Sequence, residues 1–135
     1  MLELAAHSGS EPIASQELAQ RQAIPVKYLN QLLISLRAAG LVKSVRGARG
    51  GFLLGRSPNE ISLLNIVEVL EGPLVLADCV AASGVCSRQD KCAAQWLWEE
   101  MGRRAAQYLR GISLADLLAQ DRKLRLASGP KLAKS

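Results

Sequence analysis

Residues 23–54 carry the clearest structural signal in the chain and read AIPVKYLNQLLISLRAAGLVKSVRGARGGFLL. Leucines in this segment recur with the i, i+3, i+4, i+7 spacing of one buried helix face, at Leu29, Leu32, Leu33 and Leu36. Pro25 is tolerated at a helix start, and Gly40 is suited to cap a helix end. The pattern predicts a helix from Val26 to Ala39.

The segments on either side of this helix complete a recognisable motif. Two short apolar runs, 41–45 and 51–54, flank a glycine-rich basic tip, which predicts a β-hairpin. Upstream, Ser15 is suited to N-cap a helix of about eight residues that a turn at Ala23-Ile24 joins to the next. Two helices at a tight turn followed by a hairpin predict a winged helix-turn-helix.

Further helices are predicted along the rest of the chain. Ser62 is suited to N-cap a helix that ends at Gly72 and Pro73. Another helix is predicted at the start of the chain and ends before Gly9. A long helix over about 91–110 carries a stripe typical of a helix that packs on a partner helix, at Ala94, Leu97, Met101, Ala105 and Tyr108. A short helix, Leu114 to Ala119, follows it. The predicted fold class is mainly α with a small β-hairpin wing and a long dimerisation helix.

This pattern divides the chain into four predicted parts. They are a winged helix-turn-helix DNA-binding domain (1–72), a cysteine cluster-binding loop (73–92), a dimerisation helix with a short docking helix (91–120) and a disordered tail (121–135).

Composition narrows the class of protein. No run of 18 or more apolar residues occurs in the 135, so no membrane span is predicted. Three cysteines are an odd number and nothing points to export, so a cytoplasmic protein without a disulfide framework is expected. No base, nucleophile or cofactor-cradling motif converges, and an enzyme is therefore not expected.

Positive charge is concentrated in one segment. The net charge is +5, and the stretch from Leu18 to Asn59 contains no Asp or Glu. Its cations are Arg21, Lys27, Arg37, Lys43, Arg46, Arg49 and Arg56. Such a stretch is the electrostatic footprint of a phosphate-binding face, although a solvated basic surface is the alternative.

Candidate DNA contacts follow from the predicted motif. The N-terminal part of a recognition helix faces the major groove, which selects Lys27, Tyr28, Asn30 and Gln31. Asn and Gln can bind adenine with two hydrogen bonds, and Lys can reach guanine or a phosphate. Arg46 and Arg49 at the hairpin tip are expected at a minor groove or at phosphates. Ser15 and Gln16 are weaker candidates for capping or for touching a phosphate, and exposed polar positions without a partner are the alternative.

The three cysteines follow the DNA-binding motif as C-x6-C-x5-C, at Cys79, Cys86 and Cys92. Thiolates are soft ligands that suit iron–sulfur clusters and zinc. Zinc requires a fourth Cys or His, and the single histidine, His7, is distant in sequence. Redox-sensing thiols and inert buried cysteines are the other interpretations.

The chain resembles the Rrf-type bacterial winged-helix transcriptional regulators, in particular their cysteine-bearing, IscR- and NsrR-like branch. The resemblance rests on the cysteine trio and on residues 28–32, 36–42, 44–52 and 112–117. It implies a homodimer that binds palindromic operators on double-stranded DNA. It also implies an iron–sulfur cluster on the three cysteines, [2Fe–2S] in the first place and [4Fe–4S] as the alternative.

The chain departs from the family pattern in three places. The gap between Cys79 and Cys86 is one residue longer than usual, and Gln95 stands where IscR-like members have a histidine ligand. The fourth ligand is therefore open among Asp78, Asp90, Glu99, a partner-chain residue and solvent. Relative to the family, the chain begins inside the first helix, so a truncated N-terminus is expected.

These observations predict a homodimeric transcriptional regulator, a repressor, that senses iron–sulfur status, oxygen or nitric oxide. A cluster-free regulator with a thiol switch is the alternative within DNA binding. A cluster carrier or electron-transfer protein would not need the acid-free segment, which argues against that class.

Overall fold

The computed structural model describes residues 1–85, 87–88 and 91–129. Its elements in chain order are α1 (Leu2–Ala6), α2 (Ser15–Gln22), α3 (Val26–Ala38), β1 (Val42–Val45), β2 (Gly51–Leu54), α4 (Leu63–Glu71), α5 (Asp78–Ala81), α6 (Ala93–Arg110) and α7 (Leu114–Ala127). A short 3₁₀ turn, Pro58–Glu60, precedes α4. This arrangement confirms a mainly helical fold with one antiparallel hairpin.

The helix-turn-helix pair is α2 followed by α3. Ala23, in the left-handed conformation at φ 53°, ends α2 and turns the chain into α3. At the other end of α3, the backbone N–H of Leu41 donates to Leu36 O, and that of Gly40 donates to Arg37 O. This pair of bonds is a Schellman motif, and Gly40 supplies its positive φ of 74°. Ala39 is therefore the C-cap, and the predicted cap Gly40 is the residue after it.

The predicted wing is the hairpin of β1 and β2, with Val42 opposite Leu54 and Val45 opposite Gly51. A third segment joins its edge, because Ile13 and Phe52 exchange both backbone hydrogen bonds. The first helical bond of α2 then runs from Leu18 N–H to Ala14 O. Since the Ile13 bridge holds the chain extended up to this point, Ala14 occupies the N-cap, and the prediction of Ser15 as N-cap is wrong.

One compact unit comprises residues 1–61 and, among the described residues, 113–129. Its buried side chains come from α1, α2, α3, the hairpin and α7, with Ile61 and Leu114 fully buried. The backbone N–H of Leu114 donates to Ile61 O at 2.8 Å. Ser113 caps α7, and its N–H and hydroxyl both donate to the Asp116 carboxylate, which lowers the pKa of Asp116.

The last helix is longer than the sequence predicted. α7 continues to Ala127, so the predicted helix end at Ala119 and the predicted disorder of residues 121–127 are wrong. Asp121 and Arg125 form an i, i+4 ion pair at 2.7 Å, and the Ser128 hydroxyl donates to Leu124 O. Local pairs of this kind favour helix over coil. The remainder of the predicted tail, residues 130–135, lies outside the described residues.

The other unit is formed by residues 62–112 and contains α4, α5 and α6. Ser62 caps α4 as predicted, since its hydroxyl accepts from the N–H of Asn65. The segment predicted as a loop over 74–90 contains the one-turn helix α5, which packs against α6. In the described part of the chain, none of the helices combines the length and apolar character needed to cross a bilayer.

Candidate DNA-binding face and cysteine site

The exposed face of α3 carries the residues predicted to meet DNA bases. Lys27, Tyr28, Asn30 and Gln31 are all exposed, whereas Leu33 and Leu36 on the opposite side are buried. The helical pattern thus separates a core face from a polar face on one element. α3 has no acidic residue in its first turn, so its positively polarised N-terminus lies beside Lys27 without a neutralising side chain on that turn.

The wing tip carries Arg46 and Arg49, which are both exposed. Arg49 lies 3.8 Å from the carboxylate of Glu11, with both side chains more than 80% exposed. An exposed pair at this distance is weak and screened by salt. Both guanidinium groups are therefore available to a polyanion.

Arg21 belongs to the same acid-free segment but differs in its surroundings. Its guanidinium donates to the carboxylates of Glu3 and Glu17 and to Nε2 of His7. The hydrogen bonds to Glu3 and then Glu17 raise the pKa of Arg21 above its usual value. Tertiary pairing thus removes Arg21 from the set of cations predicted for phosphate binding.

Glycines of the wing serve the packing of the protein's own backbone. A side chain on Gly51 would collide with the backbone of Ile13, and one on Gly55 with the carbonyl of Gly40. Gly47, in contrast, lies in open space at φ 115° and is needed for the turn. Packing against the protein's own backbone therefore accounts for Gly51 and Gly55.

Ser15 and Gln16 begin α2, with Ser15 partly buried and Gln16 exposed. Ala14 takes the cap position, so capping by Ser15 does not account for this residue. Contact of either side chain with a phosphate stays a prediction.

A shallow concavity of about 150 Å³ lies between α3 and the wing. It is lined by Asn30, Leu33, Ile34, Arg37 and Phe52. Sequence inspection missed Ile34 as a member of this face. Ile34 follows Lys27 by seven residues, which is about two helical turns, and this spacing indicates that both lie on the same face of α3.

Two of the three cysteines belong to α5 and to the start of α6, two helices that pack on one another within one unit. Cys79 is the second residue of α5, and Cys92 is the N-cap of α6, where its carbonyl accepts from Gln95 N and Trp96 N. Both side chains are half-buried. Cys86, the third predicted ligand, lies outside the described residues, as does Asp90.

Gln95 provides a test of whether this site suits a metal group. Its Oε1 is buried and finds no hydrogen-bond partner among residues 1–85, 87–88 and 91–129, while its Nε2 donates to Glu99 at 3.1 Å. A buried, unsatisfied acceptor in the first turn of α6, the soft sulfur ligands of two cysteines and the positive end of the α6 dipole are together compatible with a bound metal group. Among the described residues, which lack two of the candidate ligands, no cluster of three His, Cys, Asp or Glu side chains forms.

The surface of α6 exposes apolar side chains along its length. Leu97, Met101 and Tyr108 of the predicted stripe are exposed, and Trp96 is 67% exposed. Gly102, in contrast, is buried, and a Cβ there would contact the Leu74 carbonyl. One side of α6 therefore packs within its unit, and the stripe lies on the surface.

Comparison with known proteins identifies relatives of the whole domain. Residues 1–120 match the Rrf2 family model, described as an iron-dependent transcriptional regulator. The HTH-type transcriptional regulator IscR of Sodalis glossinidius is 36% identical over 121 residues, covering 90% of this chain and 73% of that protein.

Solved structures give the same result. T. potens IscR has a TM-score of 0.73 at 35% identity and covers 92% of this chain and 81% of its own. CymR, the global cysteine regulator of B. subtilis, has a TM-score of 0.73 at 34% identity over 88% of this chain and 87% of its own. These relatives are named as transcriptional regulators, in agreement with the prediction of a non-enzymatic protein.

Proposed function

The chain belongs to the Rrf2 family of DNA-binding transcriptional regulators, and we propose that it is a homodimeric repressor. Its affinity for a palindromic operator would depend on a metal cluster held by three cysteines. The observation that carries the DNA-binding part is the exposed, acid-free face of α3 and the wing. The positions of Cys79 in α5 and Cys92 at the start of α6, two helices that pack on one another, support the sensing part.

DNA recognition would divide between two elements. Asn30 and Gln31 project from the first half of α3, where a helix in the major groove presents side chains to base edges. Their amides can donate to and accept from adenine at once, which gives direct sequence readout. Arg46 and Arg49 would contribute sequence-independent attraction to phosphates or to a narrow minor groove.

A dimer would be formed through the exposed stripe of α6. Leu97, Met101 and Tyr108 would be removed from water by a second copy of the same helix, as in two-helix packing. On a palindromic operator, a two-fold dimer would present its two α3 helices to half-sites about 34–36 Å apart. Neither protomer alone could reach both half-sites, which makes operator affinity sensitive to the dimer geometry.

The proposed ligands for a cluster are Cys79, Cys86 and Cys92. A bound cluster would supply a centre that reacts with oxygen and nitric oxide and whose occupancy depends on iron supply. The side chains alone lack such a centre. Cys79 and Cys92 belong to two helices that pack on one another, so holding both thiolates would fix the α5–α6 junction. The chain connects the two units twice, at residues 61–62 and 112–113, so a change in one unit has two covalent routes to the other.

The cluster proposal is tested by anaerobic purification, with visible absorption and with iron and sulfide counts per chain. The wild type is expected to be coloured and to contain iron and sulfide in stoichiometric amounts. Cys92→Ala and Cys86→Ala should lose both, whereas Ser83→Ala, a change of similar size in the same segment, should retain them. A colourless, iron-free wild type would remove the cluster from the proposal and leave DNA binding intact.

Sensing is tested separately from cluster binding. Affinity for one operator duplex is measured for the metal-loaded and the metal-free wild type at the same salt concentration, together with sedimentation to determine the oligomeric state. A change in affinity on metal loss is expected for wild type. Equal affinities would show a constitutive DNA-binding protein, whatever the iron content.

The second candidate is a cluster-free regulator controlled by thiol oxidation. Its support is the similarity to CymR, which is named a global cysteine regulator. Oxidant treatment of the iron-free protein, followed by mass determination and operator binding, distinguishes the two. A reversible loss of affinity that requires a cysteine but no iron would favour this second function.

A further inference from the structure

Ile34 is an aliphatic residue on the polar side of α3, with 62% of its surface exposed. The core side of the same helix is provided by Leu33 and Leu36, which are 3% and 4% exposed. Burial in its own unit therefore does not explain an aliphatic residue at this position.

The position of Ile34 relative to the predicted base contacts is regular. Lys27, Asn30, Gln31 and Ile34 follow the i, i+3, i+4, i+7 spacing that brings side chains to one helix face. The base-contacting positions of the homeodomain recognition helix follow the same spacing. The rise from Lys27 to Ile34 is about 10.5 Å, which is within the width of the major groove, about 12 Å.

The immediate surroundings of Ile34 combine apolar and polar groups. Leu33 and Phe52 contribute apolar surface to the concavity of about 150 Å³ that Ile34 also lines, and Asn30 is a further lining residue. Arg37, on the next turn, donates to the Ser44 hydroxyl at 3.4 Å and thus links the helix to the wing. This is an apolar contact point within a basic, hydrogen-bonding face.

The major groove offers one apolar group, the C5-methyl of thymine. We propose that Ile34 is a specificity-determining residue that contacts this methyl group, on a base pair next to the one read by Asn30. The proposal rests on the DNA-reading role of α3. It adds a preference for thymine that hydrogen bonding by Asn30 and Gln31 does not supply.

Replacing thymidine by deoxyuridine tests this contact, because the bases thymine and uracil differ only in the methyl group. The probes are duplexes selected from a random library by the wild-type protein, with each thymine in turn replaced by deoxyuridine. Loss of one buried methyl group corresponds to about a fourfold rise in Kd per half-site, from about 0.8 kcal/mol per group. For the wild-type protein, deoxyuridine at one or more thymidine positions should produce this rise in Kd.

Three variants assign the effect. Ile34→Gln keeps side-chain length and helix propensity but should bind the thymine and uracil duplexes equally. Ile34→Val keeps apolar methyl groups and should retain the preference. Leu124→Gln is the matched control, since Leu124 is a similarly exposed aliphatic residue on α7, at 57%, and it should behave as wild type.

The outcomes separate this inference from the function on which it rests. If a site is selected but no deoxyuridine substitution weakens binding, or if Ile34→Gln keeps the preference, Ile34 does not read a methyl group while DNA binding stands. If Ile34→Gln instead changes the oligomeric state, the residue lies in a protein interface and the inference fails. If no sequence is selected at all, both the inference and the proposed DNA-reading face fail.

Discussion

Arg46 and Arg21 lie in the same acid-free segment, but the structure predicts opposite consequences for removing them. Arg46 is exposed at the wing tip, whereas Arg21 is bound by the carboxylates of Glu3 and Glu17. Only a cation without such partners releases a counterion from DNA when it binds. We therefore expect Arg46→Ala to reduce the salt dependence of operator binding and Arg21→Ala to leave it unchanged.

The size of the effect follows from the number of available cations. Counting only the predicted DNA contacts Lys27, Arg46 and Arg49, six cations on two protomers would give a slope of log K against log salt of about −5.4. Between about 50 and 200 mM salt, this slope corresponds to a loss of affinity of roughly a thousandfold. Arg46→Ala removes one cation per protomer, which changes the slope to about −3.6 and the loss to roughly a hundredfold or slightly more.

Fluorescence anisotropy of one labelled operator duplex, titrated at five or more salt concentrations, measures both slopes. The wild type and the Arg21→Ala variant should give parallel lines, and Arg46→Ala a shallower one. Parallel lines for all three proteins would show that the wing tip does not contact phosphates. An equally shallow line for Arg21→Ala would show that its ion pairs open on DNA, and the argument from pairing would then be wrong.

Three further changes have defined outcomes. Gly51→Ala should lower the unfolding temperature and weaken operator binding, because its methyl group would collide with the Ile13 backbone at the wing. Gly111→Ala is the comparison, since its φ of −79° suits alanine and its methyl group would make only ordinary contacts; equal stability of both variants would contradict the packing argument. Met101→Glu should shift the sedimenting species from dimer to monomer by placing charge on the exposed stripe of α6, and an unchanged dimer would exclude that surface as the interface. Hydrogen bonds from Arg103 and then Arg104 lower the pKa of Glu100 to about 2. The stabilisation from this depressed pKa is complete above about pH 4.5 and is lost as the pH falls towards 2; a carboxyl resonance of Glu100 that titrates near its ordinary value would refute these hydrogen bonds.

Elements with a strong local pattern were predicted from sequence almost to the residue. The leucine spacing of α3 placed that helix correctly, and Ser62 capped α4 as expected, since its hydroxyl accepts from Asn65 three residues later. In both cases the stabilising groups are neighbours in sequence. The order of helix, turn, helix and hairpin then followed from the same local signals.

The errors concern short or marginal segments. α5 has a single turn and no side-chain cap, so packing against α6, rather than its own sequence, accounts for its helical form. The shift of the α2 N-cap from Ser15 to Ala14 depends on a bridge to Phe52, which lies far along the chain. Contacts between distant segments decide such details, and single-residue preferences do not report them.

The two halves of the proposed function depend on the sequence in different ways. A helix face such as that of Lys27, Asn30 and Gln31 is a property of one continuous element, because the helical repeat alone brings these side chains together. A sulfur-ligand site gathers donors from separate elements, and here Cys79 belongs to α5 and Cys92 to the start of α6, two helices that pack on one another. The same donors in the same order could therefore hold a cluster or act as thiols, depending on packing around groups such as the buried Oε1 of Gln95. Under the proposed function, changes in the loop and in α5 would alter the sensed signal without altering the bases that are read, since the proposed base contacts all lie on α3.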